Sequence, residues 1–425
     1  MLAEEMTRTI AGMRIGMELQ PYAALDPAAL GAQLQEARKA RRFTQQEVAE
    51  ALGLARTTIV AMEKGERRVQ QDELIRLAAL FGREVHELIR QRPVRQGFSV
   101  LFRSLTARNE AEAAERDAYA IEFQRLCEDY LELEELCKAP LGRRYPPEYG
   151  VRGTPVERAA EDIASEERTR LGLGDGPVVH LRELLENDIG LRVFYMDLPS
   201  RTAGMFCYSD PLGGCIAVNA RHPEDRCRWS LAHEFGHFLT ERYNPDISVL
   251  PAGGRLSARE KLADGFAKYF LLPSTGLSRR FTMLRRINEG VITPADLLTL
   301  ADYFQVSFEA LLRRLEELRL LPGGTWERLQ DAGFKVREAK SLIALSSGAD
   351  LVDRELLPAR YKYLAVEAFE RAELTEGQLA RYLRTDRLTA RGVVQKLGER
   401  ADLSASGEAG VLEIDFSQPI TATTA

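Results

Sequence analysis

The chain is poor in the residues that most often carry chemistry: 5 histidines, 5 cysteines and 2 tryptophans in 425 positions. The cysteines, at 127, 137, 207, 215 and 227, form an odd set with no closely spaced pair. That argues against a disulfide framework or a cysteine zinc cluster and reads as reduced thiols in a cytoplasmic protein. Cys227, just ahead of His233, reads as a small buried residue rather than a redox switch. No apolar run approaches the roughly 18 residues that cross a bilayer, and Met1 to Thr9 lacks a hydrophobic signal core, so neither a membrane nor an export role is expected. Residues 1–27 read as a leader, with Met13 and Met17 as alternative starts. Net charge is −6, unevenly spread: residues 30–95 hold 13 Lys/Arg against 9 Asp/Glu, a net of +4, which leaves −10 elsewhere. Only that segment is matched to a polyanion.

Two of the scarce histidines fall together in His233-Glu234-Phe235-Gly236-His237. Residues four apart share a helical face, so both imidazoles can reach one metal at about 2.0 to 2.1 Å. Glu234, one step round, can face a water and take its proton. Trp229, Leu231, Ala232, Phe235, Phe238 and Leu239 recur at near-helical spacing over Glu224 to Thr240, which predicts a buried helix. A core helix with two merely hydrogen-bonded histidines is the alternative. Further on, Ser257 to Ala267 predicts a second helix in which Glu260 and Asp264 share a face. Glu260 can complete a metal site while Asp264 accepts a proton from the far nitrogen of a ligand histidine and fixes its tautomer. The other reading is an exposed carboxylate pair beside Arg259 and Lys261. Such ligands also accept manganese or iron.

The run Trp229-Ser230-Leu231-Ala232-His233-Glu234-Phe235-Gly236-His237, followed by Glu260-x-x-Ala263-Asp264-x-Phe266-Ala267-x-x-Phe270-Leu271-Leu272-Pro273, resembles the ImmA/IrrE family of metallopeptidases. Ile216 to Asn219 resembles the strand before the metal helix, Arg226 and Arg228 its basic approach, and Val306 to Leu315 a closing helix, so the likeness spans about residues 150–322. It implies a gluzincin-like peptidase that cuts a protein repressor, with His233, His237 and Glu260 as ligands of Zn2+ and Glu234 as base. Phe235 stands where leucine is usual, and the frequent later histidine is missing. The oxyanion-stabilising group is not identified; Tyr208, Tyr243 and Tyr269 are the candidates. Arg192 to Met196, Ala203 to Tyr208 and Cys215 to Asn219 predict a small antiparallel sheet with an exposed edge able to pair with an extended peptide.

Near the N-terminus, Thr44 with Glu47 three residues on predicts a capped helix, Gly53 a sharp turn, and Ala55 to Met62 the next helix. Val48, Ala49, Leu52, Leu54, Ile59 and Met62 fill the seam of this helix-turn-helix, within a five-helix frame from about Leu30 to Ile89. Arg42-x-Thr44-Gln45-x-x-Val48-Ala49 and Ile59-x-x-Met62-Glu63-x-Gly65-x-Arg67 resemble the XRE/Cro DNA-binding family. The resemblance implies that Arg56, Thr57, Thr58 and Ala61 face the major groove and that Gln45 contacts phosphate, with Arg41, Arg42, Lys64, Arg67 and Arg68 adding backbone attraction. A protein-docking module of the same fold is the alternative.

Residues 98–140 predict a helix whose Tyr119, Phe123, Leu126, Tyr130, Leu133 and Cys137 recur at heptad spacing, suited either to a homodimer seam or to docking on the peptidase domain. Beyond Pro322-Gly323-Gly324 the chain is helical in pattern; Leu374 to Leu383 and Arg387 to Leu397 repeat the spacing of the first helix-turn-helix, with Arg384 in place of the turn glycine. An ordinary helical hairpin is the simpler reading. The expected architecture is multidomain and mainly α with a small β-sheet: a five-helix helix-turn-helix domain (28–95), a helical linker (98–140), an α+β gluzincin-like metallopeptidase domain (150–322) and a helical C-terminal region (323–425). The expected function is a regulator that binds operator DNA and cleaves a repressor, or itself, on a signal. The rival readings are a non-enzymatic metal- or partner-sensing transcription factor and an antitoxin-like repressor gripping a toxin.

Overall fold

The computed structural model describes residues 27–41, 43–81, 85, 88, 110–151, 153–244, 246–249, 257–343 and 356–398. The leader, Arg42, residues 98–109 and the tail from 404 lie outside the described residues, as does most of the stretch assigned to a fifth N-terminal helix. The chain forms two compact units, divided between residues 96 and 97. Mainly helical structure with one small sheet is the observed class.

The first unit contains α1 (Pro27–Ala40), α2 (Gln45–Leu52), α3 (Arg56–Glu63) and α4 (Gln71–Phe81). Thr44 caps α2 in a capping box with Glu47: its hydroxyl accepts the Glu47 N–H, and the Glu47 carboxylate accepts the Thr44 N–H at 2.7 Å. Gly53 ends the helix in the left-handed region at φ 69°, where a Cβ is costly. Leu34, Val48, Leu52, Ile59, Met62, Leu74, Leu77 and Phe81 close over one core. α1 and α3 cross so tightly that a Cβ on Gly31 would lie 2.4 Å from the Met62 carbonyl oxygen.

The second unit is built on a four-stranded sheet, ordered β1-β3-β2-β4, of β1 (Arg192–Met196), β2 (Thr202–Ser209), β3 (Gly213–Asn219) and β4 (Asp246–Val249). One expectation is corrected here. β1 and β3 pair in parallel, so the sheet is mixed, because the chain passes from β1 through β2 before returning beside β1. A fourth strand, β4, pairs with β2 antiparallel, with an irregularity between Thr202 and Gly204, so that β1 and β4 are the outer strands of the sheet.

Both faces of this sheet are covered. Val193, Phe206, Ile216 and Val218 point into a core with α6 (Val156–Arg170), a short turn of helix α7 (Leu181–Glu183), α8 (Glu224–Glu241), α9 (Ala258–Leu271), α10 (Ser274–Ile287), α11 (Pro294–Phe304) and α12 (Phe308–Glu317), joined by Trp326 of α13 (Thr325–Asp331). A short helix, α14 (Val336–Leu342), follows. Phe194, Met196, Met205, Cys207, Cys215 and Ala217 point the other way, against α5 (Glu110–Leu136) and three C-terminal helices, α15 (Ala359–Glu370), α16 (Glu376–Tyr382) and α17 (Arg387–Gly398). The heptad-spaced residues of α5 are spent within the chain: Phe123 and Tyr130 pack edge-on against Phe194, and Tyr130 against Tyr361 at 5.4 Å. The segments assigned by sequence to linker, peptidase and C-terminal regions therefore share a single sheet. The wholly buried Arg192 crosses this layer to Glu134 of α5 at 2.8 Å, a paired charge where an unpaired one would be costly.

Candidate metal centre and nucleic-acid interface

α8 begins after Pro223, whose ring suits a helix start, and buries nearly its whole length between the sheet and α9. Gly236 permits the α8–α9 contact: a Cβ there would lie 3.2 Å from both the Cα of Ala263 and Cδ1 of Phe266. Phe235, Phe266 and Phe270 interlock along the same seam, with ring centroids 5.2 to 5.9 Å apart. Ser257 caps α9 by accepting the Glu260 N–H at 3.1 Å, which fixes the turn that carries the Glu260 side chain.

This packing brings the sequence-selected side chains together. Nε2 of His233 and Nε2 of His237 lie 3.1 Å apart. The Glu260 carboxylate spans them, 3.4 Å from His233 Nε2 and 3.3 Å from His237 Nε2. Asp264, one turn after Glu260, lies 2.8 Å from His233 Nδ1, which leaves Nε2 aimed at the shared centre. Burial opposes charging His233, but hydrogen bonds with Asp264 and Glu260, aided by the negative charge of Glu234, raise its pKa to about 10. Burial likewise opposes ionising Glu260, and its hydrogen bonds with the two histidines overcome that and hold its carboxyl below the usual range. Two imidazole nitrogens and a carboxylate, with ligand atoms within 4.8 Å of one another, fit the donor set of a divalent ion such as zinc.

Glu234 is fully buried beside this centre and packs against β2. A Cβ on Gly204 would fall 2.5 Å from Glu234 Oε1 and 3.0 Å from its Cγ, so the missing side chain of Gly204 makes the space the carboxylate fills. Gly204 and Gly236 went unremarked in the sequence. A glycine inside a strand is itself a sign of close approach, and that signal was available at Gly204.

The other selected residues are placed less simply. Arg228 is buried and holds the backbone, donating to the carbonyls of Val178, of Val179 at 2.9 Å and of Gln305 at 3.3 Å. Tyr208 donates to Asp210 at 3.2 Å and meets the exposed Tyr243 edge-on, while Tyr269 donates to Glu157 at 3.2 Å. Cys227 is buried, its thiol directed at the Asn219 and His222 carbonyls.

In the first unit, Arg56, Thr57 and Lys64 are exposed, and Thr58 and Ala61 half-buried, along α3. Gln45 and Arg67 are already engaged. The Gln45 amide donates to Glu63 at 2.9 Å, beside the Arg38–Glu63 pair, and Arg67 grips Glu73 with both terminal nitrogens at 3.0 and 2.8 Å.

Residues 34–88 match the helix-turn-helix family model, and residues 186–316 match the model of the IrrE N-terminal-like domain, a peptidase family. Residues 34–88 thus carry a helix-turn-helix domain and residues 186–316 an IrrE-like peptidase domain, joined in one chain. The His-His-Glu cluster lies within the IrrE-like match, and α3 lies within the helix-turn-helix match, giving a DNA-binding domain and a metallopeptidase-like domain in one chain. No curated protein matches the chain. Among solved structures it is similar to ComR from Streptococcus suis (13% identity, 88% of this chain and 94% of that one, TM-score 0.15). It is also similar to Bacillus thuringiensis PlcR in complex with the peptide PapR7 and DNA (11%, 88% and 97%, TM-score 0.16) and to apo ComR from S. thermophilus (12%, 75% and 95%, TM-score 0.15). Scores this low carry no common architecture over the aligned length. No helix among the described residues is long and apolar enough to cross a membrane.

Proposed function

We propose that this protein is a transcriptional regulator whose IrrE-like domain is a zinc-dependent endopeptidase, cleaving a protein repressor or the chain itself when a signal arrives. The observation that carries the reading is the convergence of His233, His237 and Glu260 from two helices, with Glu234 buried beside them. His233, His237 and Glu260 would hold the ion, with Asp264 orienting His233 through Nδ1. When bound, zinc supplies Lewis acidity that polarises a peptide carbonyl and makes a water acidic enough to lose a proton near neutral pH. Glu234, buried against β2, would take a proton from the attacking water and pass it to the leaving amine, and its burial keeps the carboxylate out of bulk water.

Asp264→Ala is expected to weaken zinc binding by about 10- to 100-fold, the usual cost of removing a histidine's supporting carboxylate. Competition with a zinc chelator measures it; an affinity equal to the parent's would leave Asp264 without that role.

On the DNA side, Arg56, Thr57, Thr58 and Ala61 form the base-reading stretch of α3, with Lys64 on phosphate. Gln45 and Arg67 reach DNA only by giving up Glu63 and Glu73. A peptidase tethered to an operator-bound module meets a repressor there at high effective concentration, so slow hydrolysis suffices to switch a promoter.

The test is to incubate the zinc-loaded full chain, alone and with the protein products of neighbouring genes, and to map new termini by mass spectrometry. Cuts that depend on zinc support the reading. Stable uncut complexes throughout would contradict it and leave a metal- or partner-sensing transcription factor.

A further inference from the structure

We infer that α16 and α17 form a second helix-turn-helix that binds double-stranded DNA, with α17 as the helix that enters the major groove. The N-terminal module and this C-terminal pair correspond position by position, each pair of equivalent residues 331 positions apart. Thr44 and Thr375 both cap a short helix in a capping box. In the second, the Thr375 N–H donates to Gln378 at 2.7 Å, and the Gln378 N–H returns to the Thr375 hydroxyl at 3.3 Å. Val48, Ala49, Leu52 and Ile59 are matched by Leu379, Ala380, Leu383 and Ala390, all buried. The turns agree in backbone as well. Gly53 sits at φ 69° and Arg384 at φ 55°. The next amide reaches back in the same way, Leu54 to the Ala49 carbonyl at 2.9 Å and Thr385 to the Ala380 carbonyl at 3.0 Å. The second helices open on Arg56 and on Arg387.

A left-handed residue past a helix end is common and recurs in this chain at Gln305, Arg319 and Ala372; what marks α16 and α17 is its coincidence with the capping box and the matched buried positions at one constant spacing. Arg384 is held in it by Asp129 of α5 at 3.0 Å and by Glu122 at 3.4 Å, and Arg381 also reaches Asp129. These contacts mount the motif on α5 by its first helix and turn. The positions equivalent to Arg56, Thr57, Thr58 and Ala61 are Arg387, Leu388, Thr389 and Gly392, all exposed.

The charge selects the partner. Residues 376–398 hold five Lys/Arg against two Asp/Glu; with Arg381 and Arg384 taken up by α5, α17 still carries Arg387, Arg391 and Lys396 and no acid. Arg391 is paired with Glu376 at 2.9 Å, which leaves Arg387 and Lys396 as the cations for phosphate or guanine. Leu388, 78% exposed, suits a thymine methyl and is too small a patch to be a protein interface by itself.

The experiment measures binding of the full chain to a random-sequence duplex of fixed length against salt concentration, for the parent, for Arg387→Ala/Lys396→Ala and for Arg56→Ala/Lys64→Ala. Each phosphate cation contributes about 0.9 to the slope of log affinity on log salt, so the α17 pair should lower it by about 2 and weaken binding roughly tenfold at low salt. The same loss should appear on top of the α3 pair. An α17 variant with the parent's slope and affinity, or a parent that binds no duplex, overturns the inference. So does an α17 variant that changes only the sedimenting mass, which would make the surface a protein interface. Surface substitutions of this kind leave the fold intact, and an unchanged circular dichroism spectrum and zinc content check that. Loss of proteolysis has no bearing on the result.

Discussion

Gly204→Ala should retain one zinc per chain and lose proteolysis by about 100-fold or more, in line with what a misplaced general base costs. The Cβ would arrive 2.5 Å from Glu234 Oε1, and its other close neighbours are the Glu234 Cγ and the Ala217 carbonyl oxygen at 3.1 Å. The backbone of β2 is fixed by pairing on both sides, so the carboxylate is the group that must give way. The three atoms nearest the new methyl belong to Glu234 and Ala217 and not to His233, His237 or Glu260, so the metal should stay. Glu234→Gln sets the reference, because it keeps the shape and removes the base; its loss should be at least as large. Zinc analysis alongside a cleavage assay reads both. Full activity in Gly204→Ala would mean that Glu234 has room to spare, and full activity in Glu234→Gln would remove Glu234 from the chemistry.

Gly236→Leu should act on the other half of the site. Its first added carbon meets Ala263 and Phe266 at 3.2 Å, already a tight contact, and three more carbons must follow it into the seam between α8 and α9. α9 must move outward and take Glu260 from the imidazoles it now meets at 3.3 and 3.4 Å. Zinc affinity is expected to fall by about 100-fold or more, beyond the loss for a supporting carboxylate alone. Gly236→Ala, which asks only a few tenths of an ångström, should fall between that and the parent. Calorimetric zinc titration gives the order; an affinity in Gly236→Leu equal to the parent's would show that Glu260 does not depend on this packing.

Much of the site was legible in the sequence because its parts are local. Helical period alone puts His233 and His237 on one face, and Glu260 and Asp264 on another, and the capping pattern at Thr44 declares its own helix start. What escaped depends on partners far along the chain. The strands of a sheet covered on both faces lose the alternation that would mark an inside and an outside: every residue of β3 is buried. The heptad pattern of α5 reads the same whether its seam meets a second copy or the chain's own Phe194 and Tyr361. β4 is four residues with no period to detect, so the pairing that covers β2 could not be foreseen. Gln45 and Arg67 look like free polar groups until Glu63 and Glu73 are placed beside them.

The most direct test of the account is X-ray absorption at the zinc edge of the loaded full chain. Two histidine nitrogens and one carboxylate oxygen at about 2.0 to 2.2 Å are predicted, with one imidazole lost in His237→Ala and the carboxylate lost in Glu260→Ala. A sulfur-containing shell, or a spectrum that neither substitution alters, would place the ion elsewhere and contradict the assignment of His233, His237 and Glu260 to one metal.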